Sequence, residues 1–239
     1  MRIAIVGYGK LGHEIETIAR ERGHDIALIV DKDNAHELNS VNLQTIDVVF
    51  EFTTPHTAFD NVKVCLAAGK SVVCGTTGWH DRLNEAIELA EKSNGSLFYA
   101  SNFSLGVNLF FRINRLLARY IDKYKGYKIS IEETHHAQKK DAPSGTAISL
   151  ANIIANEISS LKGWTLLPES KENTIPIRSV REGNVTGVHS VTFNSEQDEI
   201  ILTHSAKNRR GFALGAVLAA EFSVGKKGFL TMDSFLNLE

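Results

Sequence analysis

The chain has 239 residues, 43% hydrophobic and 23% charged, with a formal charge of -2. That length buries one core or two small ones, and the near balance of charge, with no basic run beyond a pair such as Lys139-Lys140, excludes the footprint of a nucleic-acid binder. Every apolar run falls far short of the ~20 residues that cross a bilayer. The opening residues follow a strand pattern rather than that of a charged and apolar leader, so the expectation is a cytoplasmic protein whose partners are small molecules. Cys65 and Cys74 lack the spacing of a redox pair or zinc site and read as reduced core residues.

Taken in chain order, residues 3–6, 26–30, 48–52, 71–74 and 97–100 are short β-branched runs that predict strands. Between them, residues 11–21, 55–68 and 81–92 carry helical period, with Pro55 suited to a first helical turn and Asp81 to an N-cap. Alternation of this kind predicts a doubly wound parallel sheet in an α/β domain. The rhythm changes after Ala100: a helix is predicted over 107–120, a strand over 128–133 and a helix over 147–158. Residues 175–181, 187–194 and 199–206 alternate apolar with polar side chains between polar turns, which predicts an antiparallel sheet. Residues 160–173 break both periodicities and read as a loose connection. Residues 212–222 are apolar nearly all round and predict a helix that returns to the first domain. The boundaries that follow are 1–104 plus 212–239 for one domain and 105–211 for the other.

The first strand runs into Gly7-Tyr8-Gly9-Lys10-Leu11-Gly12 and then a helix, the context in which a G-x-G-x-x-G pattern signals a dinucleotide site. Gly7 permits the tight turn, Gly9 lets a pyrophosphate approach the backbone, and Gly12 lets the helix pack closely on the strand. Asp31, about twenty residues further on, offers a carboxylate to ribose hydroxyls and favours NADH. Lys10 and Lys32 lie near enough in sequence to neutralise the 2′-phosphate of NADPH, so both cofactors stay open. Phe52-Thr53-Thr54, Gly75-Thr76-Thr77-Gly78 and Ala100-Ser101-Asn102-Phe103 each follow a predicted strand, at the edge where open α/β sheets hold ligands. Singly, each is ordinary turn chemistry; together they mark one edge.

The stretch from Glu132 to Ala147 sets His135, His136, Lys139 and Lys140 before Asp141-Ala142-Pro143-Ser144-Gly145-Thr146. Adjacent histidines on a strand point to opposite faces and cannot share one job. Imidazole and ammonium groups serve proton transfer, and a helix opened by Ser144 would aim the Gly145 and Thr146 N–H groups at an anion. No third metal ligand sits at a recognisable spacing, so a metal site is not expected.

Glu133, His135-His136, Lys139 and Asp141 through Ala147 form a signature by which the whole chain resembles the 4-hydroxy-tetrahydrodipicolinate reductase family of bacterial lysine and diaminopimelate biosynthesis. Gly75-Thr76-Thr77-Gly78 and the run from Asn102 to Asn108 resemble two further family motifs. The resemblance implies reduction of a small cyclic dicarboxylate by NADH or NADPH. It makes His135 the catalytic acid/base and Lys139, rather than Lys140, the proton donor, while His136, Gly145 and Thr146 hold the substrate carboxylates. Gly7, Tyr8, Gly9, Lys10, Leu11, Gly12, Asp31, Lys32, Phe52, Gly75, Thr76, Thr77, Ala100, Ser101, Asn102 and Phe103 would line the cofactor, with Arg209 and Phe212 as contributors. It implies an N-terminal Rossmann domain, a C-terminal α+β substrate-binding and oligomerisation domain on a mixed, largely antiparallel sheet, and a homotetramer.

Overall fold

A computed structural model describes residues 1–208 and 210–237, in two compact units, Met1–Leu105 with Arg210–Glu239, and Gly106–Arg209. The chain begins as β1 (Arg2–Val6), α1 (Lys10–Glu21), β2 (Asp25–Val30), β3 (Val48–Glu51), α2 (Pro55–Ala67), β4 (Ser71–Cys74), α3 (Leu83–Lys92) and β5 (Ser96–Tyr99). It continues through α4 (Leu105–Ile121), β6 (Lys128–His135), α5 (Gly145–Glu157), β7 (Trp164–Leu166), β8 (Ile175–Arg181), β9 (Val188–Asn194) and β10 (Glu199–Ser205). The last elements are α6 (Arg210–Ser223), β11 (Gly228–Leu230) and α7 (Met232–Leu236).

In the first unit six parallel strands lie in the order β11-β5-β4-β3-β1-β2. Alternate residues serve opposite faces: Ile3, Ile5, Phe50, Val73 and Phe98 pack with α1 and α6, while Ala4, Val6, Val49, Val72 and Leu97 pack with α2 and α3. Burial on both sides is why these strands read as continuous apolar runs. The same demand explains the all-round apolarity of α6, where a Cβ at Gly215 would come within 1.8 Å of the Phe103 carbonyl oxygen. Strand order reverses between β1 and β3, so the carboxyl ends of those strands flank the crevice where such sheets bind ligands. Three residues of β11 and five of α7 are too short to carry a readable period and went unpredicted. Asp81 does not cap α3: it lies in a 3₁₀ turn, His80–Arg82, and Arg82 takes the N-cap position.

The second unit holds a five-stranded mixed sheet in the order β10-β9-β6-β8-β7. β9 runs antiparallel to β10 and β6, but β8 runs parallel to both β6 and β7, which corrects the expectation of an antiparallel run from residue 175. The chain reaches β8 by a crossover that contains α5, and crossovers, unlike hairpins, join parallel strands. β7 falls inside the stretch expected to be a loose connection; at three residues on a sheet edge it leaves no pattern. Phe110, Ala118 and Ile121 of α4, with Leu150, Ala151 and Ile154 of α5, close a core with Ile131, Ile177, Val191 and Phe193 of the sheet.

Candidate active site

β6 extends to His135, two residues beyond its predicted end, because that residue pairs with Arg181 of β8. Its odd-numbered side chains share one face. Ile131 lies level with Ile177 and Val191; one step on, Glu133 lies level with Ser179 and His189, and a further step sets His135 against Arg181. The buried face of the sheet thus turns from apolar to ionisable within a single strand.

Glu133 is fully buried, an arrangement that costs several kcal/mol unless the charge is held. Its Oε1 accepts from Arg181 Nη2 at 2.7 Å and from the Ser144 N–H at 3.2 Å. Its Oε2 lies 2.6 Å from His135 Nδ1 and 4.0 Å from His189 Nε2. Arg181 Nη2 also donates to the Asp141 carbonyl at 2.6 Å, and both Asp141 carboxylate oxygens accept from Lys139 Nζ, at 2.7 and 2.8 Å. The Ser144 hydroxyl shares a 3.0 Å hydrogen bond with His189 Nε2 and accepts from the Ala147 N–H, capping α5. One buried ion pair therefore ties together β6, β8, the lysine loop and the start of α5.

Burial pushes the Glu133 carboxyl up, but Arg181, the Ser144 N–H, the nearby Ser179 hydroxyl and the His135 ring more than offset this and hold it below the usual range. Ser179 Oγ faces that carboxylate without closing an aligned hydrogen bond. Burial, with the Lys139 and Arg181 charges, outweighs the pull of Glu133 and lowers His135. Burial also takes His189 down to about 4. Lys139, half-buried, is the lysine brought to this end, whereas Lys140 is exposed. His136 keeps a buried Nδ1 with no hydrogen-bond partner among the described residues. Gly145 and Thr146 open α5, and among the described residues nothing accepts from their N–H groups, which leaves them for an anion.

Sequence spacing offered no third metal ligand, yet the register brings ligand atoms of Glu133, His135 and His189 within 4.8 Å of one another. Arg181 already neutralises the carboxylate and Lys139 stands nearby, so a further cation would meet repulsion rather than an empty acidic site.

In the first unit, Gly7 adopts φ +93°, and a Cβ there would come within 2.2 Å of the Phe52 carbonyl oxygen. A Cβ at Gly12 would sit 2.6 Å from the Gly7 oxygen, whereas one at Gly9 would meet nothing within 4 Å. Gly9 is the N-cap of α1 and provides no side-chain cap, and among the described residues nothing accepts from the first-turn N–H groups of Lys10 and Leu11. A diphosphate fits this cradle. Tyr8 is diverted, its hydroxyl donating to Glu16. Asp31 and Lys32 are exposed at the end of β2, and one Asp31 oxygen accepts the Lys32 N–H at 2.9 Å.

Beside that loop, Phe52 and Gly75 interlock, because a Cβ at Gly75 would overlap the Phe52 ring. Thr77 and Ser101 are exposed along the same edge, Ala100 is buried, and Asn102 Oδ1 accepts the Ser104 N–H. Thr76 and Phe103 turn inward: the Thr76 hydroxyl bonds to Glu51 and to the Thr53 N–H, and the Phe103 ring packs against Phe52 and Phe98. Both side chains are thereby taken up inside the fold, which leaves only their backbone at the edge. Phe212 is half-buried in the first turn of α6, and Arg209 lies outside the described residues. A separate cleft of about 670 Å³, lined by Leu66, Gly69, Leu89 and Asn94, lies at the opposite, amino-terminal edge of the sheet.

Sequence reasoning missed Glu51, Arg181 and His189 and gave Glu133 no role. The signal for Glu133 and His189 was present as ionisable residues in register with inward-facing Ile131 and Val191.

Residues 1–103 match the family model for the dihydrodipicolinate reductase N-terminus and residues 106–236 that for its C-terminus. The chain is 48% identical to the 4-hydroxy-tetrahydrodipicolinate reductase of Christiangramia forsetii, over 99% of this chain and 98% of the relative. It is 36% identical to the enzyme of that name from Methanocaldococcus jannaschii, covering 93% of this chain and 77% of the other. Among solved structures it is similar to a dipicolinate-bound dihydrodipicolinate reductase from Paenisporosarcina sp. TG-14, with a TM-score of 0.81, 27% identity and 98% of both chains covered.

Proposed function

The chain belongs to the dihydrodipicolinate reductase family, and from that premise we propose that it reduces 4-hydroxy-tetrahydrodipicolinate to tetrahydrodipicolinate in lysine and diaminopimelate biosynthesis. The observation that carries the chemistry is the meeting of His135, Lys139 and the start of α5, whose Gly145 and Thr146 N–H groups have no acceptor among the described residues, at the polar end of an otherwise apolar sheet face. A proton-transfer pair and an anion site are what reduction of a dicarboxylate needs. The dipicolinate held by the solved relative, a flat cyclic dicarboxylate, supports the same substrate class.

NADH or NADPH, when bound, supplies the hydride. Gly7, Gly9 and Gly12 hold its diphosphate on the first turn of α1, Asp31 receives ribose hydroxyls, and exposed Lys10 and Lys32 accommodate a 2′-phosphate. Phe52, Gly75, Thr77, Ser101 and Asn102, with the backbone of Thr76, Ala100 and Phe103, border the nicotinamide. His136 and the N–H groups of Gly145 and Thr146 orient the substrate carboxylates, and Lys139 delivers the proton while His135 manages the acid/base balance.

We extend the reading to a cytoplasmic homotetramer built through the second unit, where Ile201 stands exposed on the outer side of β10; light scattering that gives any mass other than four chains would remove the tetramer. The activity is tested by following nicotinamide absorbance with freshly made product of dihydrodipicolinate synthase, using NADH and NADPH in turn. Lys139→Ala should lower turnover by ~10²–10⁴-fold and leave cofactor affinity intact. A wild-type protein that binds cofactor and never oxidises it on substrate would sink the proposal.

A further inference from the structure

Glu133 and Arg181 touch neither end of the reaction as read above, yet a fully buried carboxylate with Oε1 held by two donors and Oε2 set 2.6 Å from His135 Nδ1 is not incidental packing. We propose that Glu133 is the positioning residue for His135: its Oε2 keeps a proton on Nδ1, so that Nε2 is the nitrogen that works on substrate. The inference rests on the reductase reading.

Three observations carry it. At 2.6 Å, Nδ1 and Oε2 would repel if both presented lone pairs, so a proton belongs between them. The ring N–H is not aligned on the oxygen, so the contact rests on the 2.6 Å separation and the charge of the carboxylate. Second, Nδ1 is buried, which leaves Nε2 as the other ring nitrogen, and the space beside Nε2 is kept by Gly187, where a Cβ would come within 3.0 Å of it. Third, Oε1 is fixed by the Arg181 guanidinium and the Ser144 N–H, so Oε2 cannot swing away from the ring.

The ionisable groups that face His135 are Glu133 on its own strand, Lys139 on the loop, Arg181 on β8 and His189 on β9, whose ring meets it edge-on with centroids 5.1 Å apart. His189, neutral above about 4, does not compete for the carboxylate. Among the described residues Glu133 is thus the anion that faces the ring, while Asp141 pairs with Lys139 at one side of it. The arrangement follows the logic of a carboxylate–histidine pair, in which the acid sets tautomer and orientation without itself taking the proton.

In Glu133→Gln enzyme, turnover should fall by about 10²-fold while cofactor affinity holds. The limb of the pH–rate profile that reports His135 should move to lower pH, because the ring then loses the upward pull of Glu133 while burial, Lys139 and Arg181 still lower it. A purely structural role would not move that limb. The wild-type enzyme supplies a second readout that needs no variant to fold: long-range ¹H–¹⁵N spectra near neutral pH should show Nδ1 protonated and Nε2 bare. The opposite tautomer, or Glu133→Gln enzyme with wild-type turnover and pH profile, would overturn the proposal. A wild-type protein with protonated Nδ1 but no reductase activity would overturn the reductase reading and uphold the contact.

Discussion

Replacing Glu51 by Gln should loosen the cofactor edge of the first unit, and the structure fixes how much. Glu51 ends β3 and is fully buried, and among the described residues no cation ion-pairs with it. Four donors converge on it instead. Oε1 accepts from the Thr53 hydroxyl and from Asn61 Nδ2 at 3.2 Å; Oε2 accepts from the Thr76 hydroxyl at 2.6 Å and the Cys74 thiol at 3.3 Å. Burial and the Glu51 charge push the Cys74 thiol well up, so it stays a donor. Glutamine of the same shape keeps one oxygen for two donors and turns an NH₂ group toward the other two. The Thr76 hydroxyl, which already accepts the Thr53 N–H at 2.8 Å, can meet an NH₂ group only by giving up the 2.6 Å bond that it donates and accepting on its second lone pair. Losing one strong and one weak hydrogen bond onto a buried acceptor costs about 2–4 kcal/mol, which for a chain of this size lowers the melting temperature by roughly 5–15 °C. Thr53 and Thr76 belong to the two loops proposed to border the cofactor, so affinity for NADH and NADPH should weaken with stability. Differential scanning calorimetry and fluorescence titration read both. Glu51→Gln protein that melts and binds as wild type would refute the idea that this carboxyl organises the edge.

Gly7→Ala places a Cβ 2.2 Å from the Phe52 carbonyl at a φ of +93°; strain of ~1–3 kcal/mol comes from the backbone alone, and the displaced β3 turn should abolish dinucleotide binding by titration calorimetry. His189 is lowered from 6.5 to about 4, mainly by burial. Between those values the unfolded chain binds more protons than the folded one, so stability rises with pH, and about 3 kcal/mol is lost as pH falls from about 6.5 to about 4. His135, lowered from 6.5, adds a loss that begins in the same window, and Glu133, lowered from 4.5, adds one below that value. Urea midpoints measured across that window should fall less steeply for His189→Gln than for wild type; parallel slopes would place the proton elsewhere.

How far the sequence carried the fold depended on element length. The parallel strands of the first unit are short but buried on both faces, so their β-branched runs stand out between helices, and the glycine loop falls where a strand meets a helix. β7 and β11, three residues each, carry no period, and the parallel sense of β8 is decided by a crossover that alternation alone cannot reveal. At the candidate site, His135 and Lys139 were legible as chemistry-bearing side chains in one short stretch. Arg181 and His189 lie 46 and 54 residues beyond His135 and join it only through strand register. Thr76 and Phe103 were legible as loop residues, but which way their side chains turn is set by Glu51 and by the Phe52–Phe98 packing behind them.

Each unit meets the same physical difficulty and answers it with a buried acid near the carboxyl end of a strand. Loops that carry ligand groups leave a sheet where its ladder of backbone hydrogen bonds stops, so something other than the ladder must fix them. Glu51 does this with neutral donors and gathers the β3 and β4 loops; Glu133 does it with Arg181 and gathers the lysine loop, β8 and α5. The difference in partners fits the difference in task. A carboxylate that accepts only from hydroxyl, thiol and amide groups holds backbone in place beside an edge proposed to receive an anionic diphosphate, and brings no cation to compete with the helix N-terminus for it. A carboxylate locked to a guanidinium can stand beside an ionisable ring, direct its proton and still be neutralised from behind. Exchanging the two environments would fail on electrostatics: without Arg181, Glu133 would face His135 as an uncompensated buried charge, and the ring would be held protonated rather than left free to cycle.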